Sequence, residues 1–249
     1  MSELVKMARH MLRKFLGIDI IGVGNTATFQ FHLAQLLERH EINLVLDIGA
    51  NDGQFALKLR EIGFRGRIYS FEPVARSFKR LQAAAAADPD WSVYKIAMGR
   101  TAGTAKINVS HATVFSSFLT PNGFGKATFD EMRTESSENV QILTLDSFLE
   151  QHVNREARVF LKMDTQGYDL EVFAGLQARL GQVFGILSEL SVRPIYEDMP
   201  DYLQALAEYR NRGFTVSAMF PVNRSADLSL IELDCFLVRP EPLRQAIAT

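Results

Sequence analysis

Short and almost wholly apolar runs recur along this chain, and each leads into a polar turn and then a helical pattern. Clear examples are residues 43–49, 158–164 and 184–191. Continuous apolar runs of this length are typical of strands that are buried on both faces. Strands that alternate with helices form a mostly parallel sheet with helices on both sides. This alternation constrains the fold more than any other feature, and it predicts a doubly wound α/β domain.

The pattern predicts a mostly parallel seven-stranded sheet with an antiparallel C-terminal strand. The alternation lapses in the middle of the chain, where a polar stretch with glycine and serine predicts an insertion or lid with extra strands. The last two strands have no helix between them, which predicts an antiparallel hairpin. The predicted helices are 26–40, capped by Asn25 or Thr26, and 54–62, 74–87, 169–180 and 202–212. The predicted strands are 43–49, 67–72, 91–96, 104–110, 140–145, 158–164, 184–191, 214–220 and 230–238.

We expect residues 1–42 to form an N-terminal helical extension and residues 43–249 to form the domain that carries the function. Leu4, Met11 and Phe15 recur at helical spacing between basic residues. A basic amphipathic helix either packs on the domain, which we favour, or makes peripheral contact with a membrane surface. No apolar run approaches the roughly 18 residues of a transmembrane segment.

The amino-acid composition limits the classes of partner and the compartment that we expect for this chain. A single cysteine, Cys235, excludes a disulfide framework and a cysteine-based zinc site, so we expect a reducing, cytoplasmic compartment. Lys and Arg number 27, Asp and Glu number 29, and the net charge is −2. A chain without basic excess argues against nucleic acid as a partner and leaves a small molecule or glycan open. Self-association into a homo-oligomer also stays open.

Ligands of parallel sheets bind beyond the carboxyl ends of the strands, so the residues there matter most. The first strand leads into the turn Asp47–Gly53, which has two glycines and then a helix start. A dinucleotide fingerprint would need a third glycine, and the acidic Asp52 stands where a pyrophosphate would lie. Glu72 ends the second strand, 25 residues after Asp47, where a carboxylate can accept the hydroxyls of a ribose. A plain structural turn and an acid at a helix N-terminus are the alternatives.

These features together resemble the class I, Rossmann-like S-adenosylmethionine-dependent methyltransferases. Residues 161–169, with the sequence LKMDTQGYD, are similar to the K-x-D-x-E/Q-G-x-E/D segment of the FkbM-type family. Residues 143–148 and 187–190 are similar to further blocks of that family, and the likeness runs from about residue 43 to about residue 238. Gln166 stands where the family more often has Glu, which puts any role for a carboxylate there in doubt.

The resemblance implies methyl transfer from S-adenosylmethionine to a hydroxyl of a sugar, a glycoconjugate or a related natural product. It implies that the first turn holds the amino-acid part of the donor, that Glu72 holds the ribose, and that two apolar residues flank the adenine. The residues carried over in this way are Asp47, Gly49, Ala50, Asn51, Gly53, Glu72, Ala97 and Met98.

An aliphatic hydroxyl needs a base or a metal to take its proton. Asp164, at the end of the strand after the insertion, is our first candidate, with helix capping as the alternative. Glu189 on the next strand could share a divalent metal with Asp164, or the two could divide into a base and an ion pair. His111 in the predicted lid is a further candidate base or an exposed loop histidine. Lys162 either pairs with an acid or contacts substrate.

The remaining candidates would contact the acceptor: Ser116, Ser117, Gln166 and Tyr196. Two other functions stay open at this point. One is an NAD-type oxidoreductase, and the other is a non-catalytic binding module that kept the fold.

Overall fold

The computed structural model describes residues 28–240 together with Met7, Met11, Leu12, Lys14 and Phe15. The helices within residues 28–240 are α1 (Phe29–Arg39), α2 (Gln54–Glu61), α3 (Ala75–Ala85), α4 (Gly123–Thr128), α5 (Leu145–His152), α6 (Asp169–Ala174) and α7 (Tyr202–Asn211). The strands there are β1 (Leu44–Ile48), β2 (Arg67–Phe71), β3 (Trp91–Tyr94), β4 (Ala97–Met98), β5 (Gly103–Ser110), β6 (Thr134–Leu143), β7 (Val159–Met163), β8 (Val183–Ser191), β9 (Thr215–Arg224) and β10 (Leu230–Val238).

Seven of these strands form one sheet in the order β3-β2-β1-β7-β8-β10-β9. The first five are parallel to one another, while β10 is antiparallel to both of its neighbours. The chain moves outward from β1 to β3 and then returns to the other side of β1, so the strand order reverses between β1 and β7. The sequence prediction of a seven-stranded, mostly parallel sheet with an antiparallel C-terminal strand is confirmed.

The strands are apolar on both faces because helices cover the sheet on both sides. In β1, Leu44, Leu46 and Ile48 pack with residues of α5, α6 and α7. Val45 points the other way, into a second cluster formed with α1, α2 and α3. All five residues of β1 are buried. The buried surface on the two faces makes the molecule a three-layer α/β/α sandwich.

The insertion forms a separate small sheet, in the order β4-β6-β5. Its apolar side chains, among them Ile107 and Val140, make their own core with Val74. A further cluster joins Met132 of the insertion to Ile195 and Tyr196 of the segment after β8. The insertion therefore lies along the carboxyl edge of the main sheet.

Two local predictions were wrong. The strand predicted over 140–145 is the last part of β6, and the helix α5 was missed. Thr144 ends the strand because its side-chain oxygen accepts a hydrogen bond from the backbone amide of Ser147, 3.1 Å away, and caps α5. The helix predicted over 169–180 ends at Ala174. Beyond it the backbone amides of residues 177–179 donate to the carboxylate of Asp146 and not to a helix.

The N-terminal predictions fall largely outside the described residues. Helix α1 begins after Thr28, and the predicted caps Asn25 and Thr26 are outside the described part of the chain. Residues 7, 11, 12, 14 and 15 are helical, and the side chains of Met7, Met11 and Phe15 are exposed. No helix among the described residues is long and apolar enough to cross a membrane.

The turn after β1 depends on glycine at position 49, and we expect Gly49→Ala to destabilise the fold. Gly49 has φ +73°, and a Cβ there would lie 2.0 Å from the carbonyl oxygen of Asp164. Gly63→Ala is the matched control, because Gly63 has φ +93° and open space around it. The control should cost about 1–2 kcal/mol from its left-handed backbone alone. Gly49→Ala should cost clearly more in urea denaturation, and equal losses would contradict this packing.

Candidate active site

A cavity of about 430 Å³ opens at the carboxyl edge of the sheet, where the strand order reverses. The ends of β1, β2, β7 and β8 form its floor, and residues 113–118 of the insertion form part of its wall. The sequence predicts a binding site at this edge, and the cavity lies there. It brings together most, but not all, of the candidate residues.

The turn after β1 brings backbone close to the cavity. Gly49, Ala50 and Asn51 line it, whereas Asp47 and Gly53 do not. Asn51 has φ +46°, and its side-chain oxygen accepts hydrogen bonds from the hydroxyls of Ser77 (2.8 Å) and Thr113 (3.0 Å). This side chain therefore fixes the turn and also ties the insertion to it.

Glu72 is buried beside this turn and lines the cavity. One carboxylate oxygen accepts the amide of Asn51 and the other accepts the amide of Val74, both at 2.8 Å. Burial raises the pKa of Glu72 to about 7, and the two amides only partly offset that rise. Each oxygen keeps a further lone pair, so the carboxylate can still accept two ligand hydroxyls.

An apolar slot lies next to Glu72. Ala97 and Met98 are buried in β4 and line the cavity, as do Ile107 and Phe118 from the insertion. A flat aromatic ring fits such a slot better than a charged group does, because the slot offers it contact surface without a desolvation cost.

Asp47 and Lys162 form a buried ion pair below the cavity. Lys162 Nζ lies 3.0 Å from Asp47 Oδ1 and donates to the carbonyl oxygen of Gly49 at 2.9 Å. Burial alone lowers the pKa of Lys162, but the carboxylates of Asp47 and Asp164 raise it above its usual value. Asp47 Oδ2 accepts from the Ser70 hydroxyl at 3.0 Å. The structure thus places Asp47 under the turn, where it supports the backbone instead of facing the ligand space.

Asp164 and Glu189 face each other across Gln166 at the cavity wall. The Gln166 amide nitrogen donates to Asp164 Oδ1 at 3.2 Å and to Glu189 Oε2 at 3.0 Å. The side chain of Asp164 is 42% exposed, and its other oxygen lies 3.6 Å from Lys162 Nζ. Glu189 is deeper, and burial together with the neighbouring carboxylates raises its pKa well above the usual value. Asp164 is therefore the more accessible of the two carboxylates.

The conformation of Gln166 is fixed by hydrogen bonds to its backbone and side-chain oxygens. It has φ +54°, a left-handed conformation that costs a non-glycine residue energy and persists only when its surroundings fix it. The Tyr196 hydroxyl lies 3.0 Å from its side-chain oxygen, and the Ser117 hydroxyl donates to its backbone oxygen at 2.7 Å. Tyr196 is buried and does not line the cavity, and its hydroxyl also lies 2.9 Å from the carbonyl oxygen of Phe115.

The first backbone amide of the turn after Asp164 is bound by Asp169 and not by Asp164. Asp169 accepts the backbone amide of Thr165 at 2.9 Å and its hydroxyl at 2.5 Å, and it also accepts from Ser188 at 2.7 Å. Sequence reasoning missed this role. It leaves Asp164 free to face the cavity.

His111 does not join the other candidates. Its ring is 61% exposed, its Nδ1 lies 2.6 Å from a carboxylate oxygen of Glu135, and it does not line the cavity. Ser116 does line the cavity, and its hydroxyl accepts the backbone amide of Ser110 at 3.2 Å. The structure therefore favours the exposed loop histidine over the candidate base.

The far wall of the cavity carries acids that sequence reasoning missed. Glu232 and Asp234 of β10 line it, together with Asn223 of β9. The signal was present in the sequence: two acids at alternate positions of an otherwise apolar strand point to one face. That face is the one that carries Glu189, because Asp234 pairs directly opposite it.

The sequence matches the methyltransferase FkbM domain over residues 47–216. The chain belongs to the FkbM methyltransferase family. The match begins at Asp47 and includes the turn, Glu72, the insertion and the Asp164–Gln166–Glu189 group. It confirms the resemblance found in residues 161–169. It also favours a methyltransferase over the NAD-type oxidoreductase alternative.

Solved structures of other methyltransferases resemble the chain at low identity. Magnesium protoporphyrin IX methyltransferase from Synechocystis PCC 6803, solved with bound S-adenosylmethionine, is 10% identical, with 96% of this chain and 99% of that chain covered and a TM-score of 0.48. An rRNA methylase from Streptococcus thermophilus is 11% identical, with 87% and 100% covered and a TM-score of 0.45. A comparison with curated proteins found no match.

The metal alternative for Asp164 and Glu189 finds no support in the geometry. The Gln166 amide places an N–H donor between the two carboxylates, where a shared cation needs oxygen ligands. Among the described residues, no group of three or more His, Cys, Asp or Glu is arranged to hold a metal ion.

Removing Lys162 should destabilise the protein strongly. Lys162→Met leaves the carboxylate of Asp47 buried without its cation, which typically costs about 3–5 kcal/mol. The double variant Lys162→Met with Asp47→Asn removes the buried charge and should recover a large part of that loss. Urea denaturation of both variants measures this. A single variant within about 1 kcal/mol of the wild type would contradict the structural role.

The raised pKa of Glu72 should appear in the pH dependence of stability. The pKa of Glu72 is about 7 in the folded protein against 4.5 for the free side chain, so the folded state binds the extra proton between these values. The contribution of Glu72 to stability is therefore present below pH 4.5 and is lost as the pH rises through 7. Relative to Glu72→Gln, the wild type should lose up to about 3 kcal/mol of unfolding free energy across this window. The exposed Glu61→Gln is the control, and an equal pH slope in all three proteins would refute the burial effect.

Proposed function

We propose that this protein transfers the methyl group of S-adenosylmethionine to a hydroxyl of a sugar, a glycoconjugate or a related natural product. The observation that carries the proposal is the arrangement of the cavity. A glycine turn, an anchored carboxylate and an apolar slot form one wall, and the accessible carboxylate of Asp164 lies at the neighbouring strand end. Family membership supports methyl transfer, and this geometry supports oxygen as the acceptor atom.

The donor wall fits a nucleoside that carries an amino-acid tail. The carboxylate of Glu72 can accept two ribose hydroxyls, while Ala97 and Met98 flank the adenine. The backbone of Gly49, Ala50 and Asn51 lines the cavity and is proposed to meet the tail. Asp47 and Gly53 support this wall without lining the cavity. Asp47 pairs with Lys162, and Gly53 directly precedes α2.

Asp164 is the proposed general base. When bound, the donor supplies a methyl group on a positively charged sulfur, which is a good leaving group. A neutral aliphatic hydroxyl attacks poorly unless its proton is removed as the new oxygen–carbon bond forms. Asp164 has an exposed oxygen to receive that proton, while Gln166 and Lys162 hold the carboxylate in place. Holding both reactants in line can supply roughly 7–11 kcal/mol of the barrier.

The acceptor is proposed to be a small molecule or a glycan and not a nucleic acid. Phosphate-rich ligands need cationic surfaces, whereas the cavity is lined by more carboxylates than lysines. Ser116, Ser117 and Gln166 at the cavity wall are proposed to contact the acceptor. The single thiol, Cys235, is buried and fits work in a reducing compartment such as the cytoplasm.

Two variants separate donor binding from catalysis. Glu72→Gln should weaken binding of S-adenosylhomocysteine about ten-fold or more, because it removes a charged acceptor of two hydrogen bonds. Asp164→Asn should leave that binding within about two-fold but lower methyl transfer by about 100-fold or more. Calorimetry measures the binding. Transfer of labelled methyl to glycolipid and small-molecule fractions measures the reaction.

The outcomes divide the alternatives cleanly. Full turnover by Asp164→Asn would remove this residue from catalysis. Donor binding by the wild type, without transfer to any acceptor fraction, would favour a non-catalytic binding module. Failure to bind S-adenosylhomocysteine at all would overturn the proposal.

A further inference from the structure

The acceptor half of the cavity is strongly acidic. Among the described residues that line the cavity, the ionisable acids outnumber the lysines. The acids are Glu72, Asp164, Glu189, Glu232 and Asp234, and the bases are Lys58 and Lys162. Glu72 faces the proposed donor, and the Lys162 ammonium is already bound to Asp47 and to the backbone of Gly49. The remaining acids surround the space that an acceptor would occupy.

Three of these acids occupy strand positions that the packing would fill with apolar side chains. Glu189 lies two residues beyond Leu187, a buried core residue on the same face of β8. Asp234 lies directly opposite Glu189 in the antiparallel pair of β8 and β10, and Glu232 is two residues before Asp234 in β10. Like charges directly opposite each other destabilise a sheet. The cluster therefore weakens the fold, which points to a ligand that the carboxylates bind.

One carboxylate oxygen of Glu232 is buried without a hydrogen-bond donor in the described part of the chain. Its side chain is 2% exposed and lines the cavity. The Oε2 atom accepts a hydrogen bond from Asn223 at 2.8 Å, but Oε1 is buried without a hydrogen-bond partner among the described residues. A buried, unpaired carboxylate oxygen is costly unless a donor reaches it. Because Glu232 lines the cavity, a ligand bound there lies next to this side chain.

Burial and mutual repulsion raise the pKa values of these acids, as expected for a cluster of carboxylates. Burial, followed by the charge of Asp164, raises the pKa of Asp234 to about 6. Burial also raises the pKa of Glu232, and the charges of Asp164, Glu232 and Asp234 add to the rise at Glu189. A bound cation would lower the energy of all three carboxylates at once.

We propose that Glu189, Glu232 and Asp234 form a subsite for a protonated amine on the acceptor, so that the substrate is an amino sugar or a similar amino alcohol. An ammonium group supplies three donors, which suit the free Oε1 of Glu232 and its two neighbours. A phosphate or carboxylate on the acceptor would be repelled by the same wall. This inference rests on the proposed function, since it places the acceptor beside Asp164.

Binding of matched sugars tests the subsite. Glucosamine, N-acetylglucosamine and glucose differ at one position, and only the first carries an amine that can be protonated. Saturation-transfer NMR and calorimetry on the full chain, with S-adenosylhomocysteine bound, should show glucosamine binding about ten-fold or more tightly than the other two. Glu232→Gln and Asp234→Asn should each lose most of this preference, whereas the exposed Glu61→Gln should keep it.

Each result bears on the proposal separately from the proposed function. Equal binding of the three sugars, or no binding of glucosamine at millimolar concentration, would overturn the amine subsite while binding of S-adenosylhomocysteine leaves the donor site standing. A preference that survives in both acidic variants would also overturn it. Loss of S-adenosylhomocysteine binding in the wild type would instead count against the proposed function.

Discussion

The buried ion pair between Lys162 and Asp47 is the interaction on which the site depends. The two residues are paired in register on neighbouring strands, β7 and β1, at the point where the strand order reverses. The Lys162 ammonium also binds the carbonyl oxygen of Gly49 and lies 3.6 Å from Asp164. One cation thus aligns the glycine turn that is proposed to meet the donor with the carboxylate that is proposed to act as base.

The same network extends across the sheet. Asp47 accepts a hydrogen bond from Ser70 on β2, and Ser70 accepts one from the indole of Trp91 on β3, at 3.0 Å. The chain of contacts therefore runs through four adjacent strands below the cavity. A buried charge without its partner is costly, so the network also fixes the registers that the cavity needs. Precise placement of the site is thus built into the core of the sheet.

The sequence predicted the sheet and the position of the cavity at its carboxyl edge, because both depend on local patterns. Apolar runs, glycine turns and an acid at the end of a strand are visible in consecutive residues. The role of Asp47 as a support and the alignment of Glu232 and Asp234 with Glu189 depend on pairing between distant strands, which periodicity does not encode. His111 shows the reverse case, since its residue type suits a base but its position on the insertion leaves it exposed beside Glu135.

Gln166 shows how a residue type can mislead when it is considered alone. Its lack of a carboxylate suggested a weakened site. In the structure its amide donates to both Asp164 and Glu189 at once, which a glutamate carboxylate could not do. Tyr196 and Ser117 hold it there in a left-handed conformation. The Gln166 amide therefore links the two carboxylates through two donated hydrogen bonds.

We propose that the cavity between β1 and β7 holds the methyl donor. A crystal structure of the protein with S-adenosylhomocysteine tests it most directly. The ribose hydroxyls should lie on the carboxylate of Glu72, the adenine beside Ala97 and Met98, and the sulfur should be directed toward Asp164. A nucleoside bound elsewhere, or one turned so that Glu72 does not contact its ribose, would rule out this donor site.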